Sequence, residues 1–288
     1  MSKYNKKKRG KWAKASNFSA QHQLISKRLI YDMINLAQVQ SSDTILDIGA
    51  GTGALTVPLA ETGADVIAIE ADQAFVDKLL SQMKNRDNIH VKHADILKAG
   101  LPKSPFVVVA NIPYSITTPI LGRLLDYPSV PLGRAVLLVE KGAAKRFTAV
   151  PIQDPRILSW RMHYEIRLVR TVSPQHFAPP PKVDSAILSI KRRRKPLVDL
   201  SHQLKFRALA AYGLRDLRLP LSAALSGIFT PPQITRLVRV LGMDRELPMC
   251  RLNEEQWAVV FHTMLQHVPP SRWPRLGKNI RNRNGKCF

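Results

Sequence analysis

The chain has 288 residues, 45% of them hydrophobic, and carries a net charge of +23 from 44 Lys and Arg against 21 Asp and Glu. That size supports one large domain plus a smaller one, and no apolar run reaches transmembrane length or follows the basic leader as a signal peptide would require. The two cysteines, Cys250 and Cys287, lack metal-ligand spacing, which points to a reducing cytoplasm and no metal site.

Residues 1–20 carry seven basic side chains and no acid, and residues 267–288 carry six, again without an acid. The stretch between them is still strongly basic, so the charge is not only a matter of tails. A polyanionic partner is expected, nucleic acid first. Anionic lipid ranks lower, because neither tail has an amphipathic apolar stripe.

Between the tails, apolar runs alternate with helical patterns. "DTILDIG" (43–49), "ADVIAIEA" (64–71), "IHVKHADI" (89–96), "PFVVVANI" (105–112) and "RAVLLVEK" (134–141) read as strands. Phe75, Leu79, Leu80 and Met83 make one helical stripe, and Ile120, Leu121, Leu124 and Leu125 another. This alternation predicts a parallel sheet covered on both faces. "LVRTV" (168–172) and "SAILSIKR" (185–192) are expected as later strands on one edge, flanking a proline-rich loop at 173–184. After "KRRRK" (191–195) and Pro196 the period becomes helical. One stripe is Ile234, Leu237, Val238 and Leu241 ahead of Gly242; the next is Trp257, Val260, Phe261, Met264, Leu265 and Val268 behind an Asn253/Gln256 capping pattern. The expected organisation is a basic tail (1–20), an α/β domain (21–196), a small helical domain (197–269) and a second basic tail (270–288).

Ligands of parallel sheets bind beyond the carboxyl ends of the strands. "DIGAGTG" (47–53) ends the first strand with glycines that let a ligand approach the backbone. Glu70 ends the second strand, where an acid accepts from a ribose diol. Gly49, Gly51 and Ala54 also approximate a dinucleotide fingerprint, so a dehydrogenase fits this pair of features as well. Asp95, after the third strand, suits either a helix N-cap or an acceptor for an adenine amine. Together Glu70 and Asp95 describe an adenosine-containing ligand that needs no pyrophosphate, and S-adenosylmethionine fits. Asn111 ends the fourth strand with a side-chain acceptor beside the Ile112 carbonyl. Pro113 stiffens the turn, and Tyr114 offers a face for a base. Two acceptors on an adenine N6 amine would favour a pyramidal nitrogen able to attack a sulfonium methyl, with no strong general base.

The set "DIGAGTG", "IEAD", "HADI", "NIPYSIT" and "HFAPPPKVDSAI" resembles the rRNA adenine-N6 methyltransferases, over about residues 17–270. Within that family, "VEKGAAKRFT" (139–148), "GIFTPPQ" (227–233) and "QWAVVF" (256–261) look like an Erm enzyme of the Bacillus or actinobacterial kind. The resemblance implies a Rossmann-like S-adenosylmethionine-dependent methyltransferase domain with a mostly parallel seven-stranded sheet and a small all-helical C-terminal domain. It implies a cytoplasmic monomer that methylates one adenine of 23S rRNA in the peptidyl-transferase region, blocking macrolide, lincosamide and streptogramin B antibiotics. The same motifs also suit a 16S rRNA dimethyltransferase of ribosome biogenesis, and a non-catalytic RNA binder is a third reading. Gly49, Glu70, Asp95 and Asn111 fall on cofactor positions, and Asn111 and Tyr114 on the catalytic motif. The family's Q-N-F-L motif maps by spacing onto "QHQL" (21–24), which assigns His22 and Leu24 to the cofactor, with Asn17 as the alternative. Phe177 matches an aromatic implied to stack on a target base taken out of its helix. For "KRRRK" two roles stay open, phosphate binding or protection of an edge strand.

Overall fold

The computed structural model describes residues 22–83 and 86–276. Asn17 and most of both basic tails lie outside the described residues.

The strands are β1 (Gln23–Leu24), β2 (Thr44–Ile48), β3 (Asp65–Glu70), β4 (Ile89–His93), β5 (Phe106–Asn111), β6 (Leu132–Glu140), β7 (Tyr164–Val172), β8 (Phe177–Ala178) and β9 (Ser185–Arg192). The helices are α1 (Lys27–Ala37), α2 (Thr56–Ala60), α3 (Gln73–Gln82), α4 (Thr117–Leu125), α5 (Lys141–Thr148), α6 (Pro155–Arg161), α7 (Gln203–Gly213), α8 (Leu221–Leu225), α9 (Pro231–Leu241) and α10 (Glu254–His267).

Seven strands form one sheet in the order β4-β3-β2-β5-β6-β9-β7. From β4 to β6 all neighbours are parallel; β9 runs antiparallel to both β6 and β7. Ile45, Leu46, Ile48, Val108, Val109 and Leu137 are all fully buried or nearly so, as a sheet covered on both faces demands. The fold is Rossmann-like.

Three local expectations change. β9 lies inside the sheet, between β6 and β7, so of these two strands β7 alone lies at an edge. β7 begins at Tyr164, four residues before the predicted start, because Tyr164 and Ile166 bury alternate positions. On α3 the buried line is Val76, Leu79 and Met83, while Leu80 is 49% exposed; the helical period carries residue 80 off the face that meets the sheet.

The helices after β9 share one core with α6. Leu158 and Met162 pack with Phe206, Leu209, Trp257 and Phe261. The Asn253/Gln256 pattern is a capping box: Gln256 N donates to Asn253 Oδ1 at 2.8 Å, and Asn253 N donates to Gln256 Oε1 at 3.0 Å. Arg161 of α6 is buried and meets Glu254 of α10 at 3.1 Å. Its other nitrogens donate to the carbonyls of Ala149 and Thr148.

Two of the three arginines of "KRRRK", Arg192 and Arg193, have a different role from either one expected. Arg192 donates to the carbonyls of Leu132, Pro128 and Val130 and to the Tyr164 hydroxyl. Arg193 donates to the Arg161 carbonyl at 3.0 Å. Both brace loops against the sheet, and only the flanking Lys191, Arg194 and Lys195 are exposed.

Candidate active site

Strand order reverses between β2 and β5: the chain leaves β2 outward through β3 and β4, then returns to β5 on the other side. A crevice opens there at the carboxyl ends of the strands. Gly49 ends β2 and Asn111 ends β5, and they meet. A Cβ built on Gly49 would lie 3.5 Å from the Pro113 ring and 3.8 Å from the Asn111 carbonyl. Gly49, Gly51 and Gly53 have φ of 73°, 54° and 90°, which favours glycine at each.

Glu70 ends β3 almost completely buried. Its Oε2 accepts from Gly51 N at 2.8 Å, and its Oε1 accepts from Ala71 N at 2.8 Å and Asp72 N at 2.9 Å. The carboxylate therefore shapes the glycine turn, with capacity left for one further donor. Asp95 lies two residues beyond the end of β4. Its Oδ1 accepts from Leu97 N at 2.8 Å, and its Oδ2 stands 3.9 Å from Lys98 Nζ. Asp95 thus caps its own turn while its side chain stays partly exposed.

Asn111 is half-buried, and its Nδ2 donates to the His22 carbonyl at 2.9 Å. That bond turns Oδ1 the other way, and among the described residues no donor meets it. Tyr114 follows Pro113 in a short 3-10 turn, Tyr114–Ile116. Its hydroxyl is 2.5 Å from Ser185 Oγ at the start of β9. Burial pushes the Tyr114 phenol upward; the Ser185 hydrogen bond opposes this and the nearby Glu140 charge adds to it.

The remaining predicted residues are nearby but differently engaged. His22 Nδ1 pairs with the Pro179 carbonyl at 2.7 Å, and its ring centroid is 6.1 Å from that of Tyr114. Leu24 is 4% exposed and its side chain lies in the core, so any ligand contact there belongs to its backbone. Phe177 is 2% exposed: β8 pairs it with Leu24, and its ring packs in the same core cluster. In this arrangement Phe177 offers no face to a base, because its ring is buried among the core side chains.

Three participants were absent from the sequence reading. Ser185 holds Tyr114 from 71 residues away. Thr52 Oγ1 donates to Gln23 Oε1 at 3.4 Å, linking the glycine turn to β1. Asp47, buried beneath the turn, accepts from Thr56 Oγ1 at 2.7 Å. Only Asp47 had a visible signal, as a carboxylate inside an apolar strand.

A Rossmann-like sheet with glycines, an acid and an asparagine gathered at its switch point suits a methyltransferase. Known proteins agree. Residues 13–266 match the family described as ribosomal RNA adenine dimethylase. An rRNA adenine N-6-methyltransferase of Bacillus licheniformis is 44% identical, over 96% of this chain and 98% of that protein. A ribosomal RNA small subunit methyltransferase A of Thermosynechococcus vestitus is 34% identical, over 85% of this chain and 95% of its own. The crystal structure of the 23S rRNA methyltransferase ErmE has the same fold, with a TM-score of 0.76 at 24% identity, covering 84% of this chain and 99% of that one. The chain belongs to the ribosomal RNA adenine dimethylase family, and it is a methyltransferase.

Proposed function

We propose that this enzyme transfers a methyl group from S-adenosylmethionine to the N6 amine of one adenine in 23S rRNA, conferring macrolide, lincosamide and streptogramin B resistance. The observation that carries the reading is the orientation of the Asn111 amide. Its donor is committed to the His22 carbonyl, so its acceptor is left for an incoming amine.

The residues present suit the cofactor. The glycine turn leaves room at Gly49 beside Asn111, Glu70 keeps acceptor capacity toward a ribose hydroxyl, and Asp95 keeps an oxygen toward an adenine amine. The bound cofactor would supply an electrophilic methyl. The chain's part is to place the amine. Asn111 Oδ1 and the Ile112 carbonyl would accept the two amine hydrogens and so localise the nitrogen lone pair. Tyr114 would support the base from one face, its tilt set by Ser185. With Phe177 covered, Tyr114 carries the stacking role alone in this conformation.

The surroundings suit RNA. A groove of roughly 500 Å³ is lined by Glu140, Lys141, Lys145, Lys182 and Asp184. Lys141 is paired with Asp184 at 2.9 Å, which leaves Lys145 and Lys182 exposed for phosphates. Asp184 of this groove precedes Ser185, whose hydroxyl meets that of Tyr114, so the groove adjoins the base site. Phosphate contacts of this kind position the strand without reading its sequence. The 23S target is favoured over 16S by the Erm-like stretches at 139–148, 227–233 and 256–261, and the two 44% identical relatives are named rRNA adenine N-6-methyltransferase, not small subunit methyltransferase. A cytoplasmic monomer accords with this substrate, and among the described residues no helix is long and apolar enough to cross a membrane.

The test is Asn111→Ala. Methyl transfer to rRNA is expected to fall by about a hundredfold or more, while calorimetry still detects S-adenosylmethionine binding. Undiminished transfer would overturn the reading.

A further inference from the structure

We infer that His22 is a positioning residue for the Asn111 amide. This rests on the methyl-transfer reading above and concerns how its acceptor is held.

A side-chain amide has two orientations of similar shape and opposite polarity. In one, Asn111 presents an oxygen to the target amine; in the other it presents a donor that would repel it. The neighbouring partner makes the choice. The His22 carbonyl can only accept, so it takes Nδ2, at 2.9 Å, and the oxygen turns outward. That carbonyl must therefore be held in place.

What holds it is a short strap. Gln23 and Leu24 pair with Ala178 and Phe177, and Ile25 N donates to the His176 carbonyl at 2.9 Å. A ladder of two residues is marginal by itself. It cannot be extended by a donor from the opposite strand, because the residue facing His22 is Pro179, which has no N–H. The imidazole closes the ribbon instead: His22 Nδ1 donates to the Pro179 carbonyl at 2.7 Å. One residue thus carries both halves of the device. Its side chain fastens the strap, and its backbone oxygen orients the catalytic amide. On the far side, Gln23 meets Thr52 of the glycine turn. The strap therefore touches the cofactor turn through Gln23, while His22 faces Tyr114 and the base side.

The experiment compares His22→Ala, His22→Phe and His22→Asn in the full chain. Single-turnover methylation of total bacterial rRNA is measured at saturating S-adenosylmethionine, with cofactor affinity by calorimetry. Ala and Phe remove the donor, and Phe retains a ring beside Tyr114. Both are expected to slow the reaction at saturating cofactor about tenfold, as loss of one hydrogen bond that holds the strap would. Asn places a donor near the position of Nδ1 and is expected to restore most of the rate. A raised Kd with an unchanged saturated rate would overturn the inference and assign His22 to the cofactor. An Asn variant as slow as Ala, or an Ala variant as fast as the parent, would also overturn it. Asn111→Ala separates the two levels. If it is active, the methyl-transfer reading fails; if it is inactive while His22→Ala stays fast, only the strap fails.

Discussion

Asp47 sits in β2 with almost no exposure, hydrogen-bonded to Thr56. Burial, with a contribution from Glu70, pushes its pKa up to about 7 from an ordinary 3.8, against the pull of the Thr56 bond. The folded protein therefore holds this proton more tightly than the unfolded chain does. The resulting stability is complete below the unfolded value and is lost as pH rises through the folded one. Asp47→Asn keeps an oxygen for Thr56 and removes the titration. Between about pH 5 and about pH 8 the parent's melting temperature is expected to fall further than that of Asp47→Asn. Parallel declines would contradict this assignment. Asp47 shares a property with Gly49, Glu70, Asp95 and Asn111: each stands in or just after an apolar strand, where a polar or glycine residue is conspicuous. That is why the last four of these residues stood out in the sequence as candidates for the crevice. The protonation of Asp47 did not, because it depends on what packs over the strand.

Element by element, β2, β3, β5 and β6 were legible because they are largely apolar runs, and β4 because it was bounded by its neighbours in the alternation. The ribbon of β1 and β8 was not, since two residues on each side carry no period. Nor was the role of Phe177, whose motif says aromatic and whose neighbours decide whether the ring is open or covered. Ser185 and Arg192 were hidden for a related reason: their partners lie far away in the chain, and a basic run looks the same whether it binds phosphate or backbone carbonyls. The junction of α6 and α10 gives a test at this scale. Glu254 neutralises the buried Arg161 and also sits in the first turn of its helix, where an acid is favoured. Glu254→Ala leaves that guanidinium without its counter-charge and is expected to lower unfolding free energy by about 2 kcal/mol in urea titrations. Glu254→Gln, which keeps an acceptor, is expected to recover part of it. A loss no larger than that of an exposed pair, below about 0.5 kcal/mol, would show that the junction does not depend on this bridge.

For the whole molecule, the sheet and the helical layer are joined through a shared core, and the charge suits a long polyanion. The helices beyond β9 share their core with α6, so the surface they add is fixed relative to the crevice. Net charge alone indicates a nucleic acid and says nothing about which adenine. The choice of RNA is the central claim, and it is decided by exposing separated, unmodified 23S and 16S rRNA to the enzyme with labelled S-adenosylmethionine, then mapping the product by primer extension. Label in 23S with a polymerase stop at one adenine is the expected result; label confined to 16S, or in neither RNA, would contradict it.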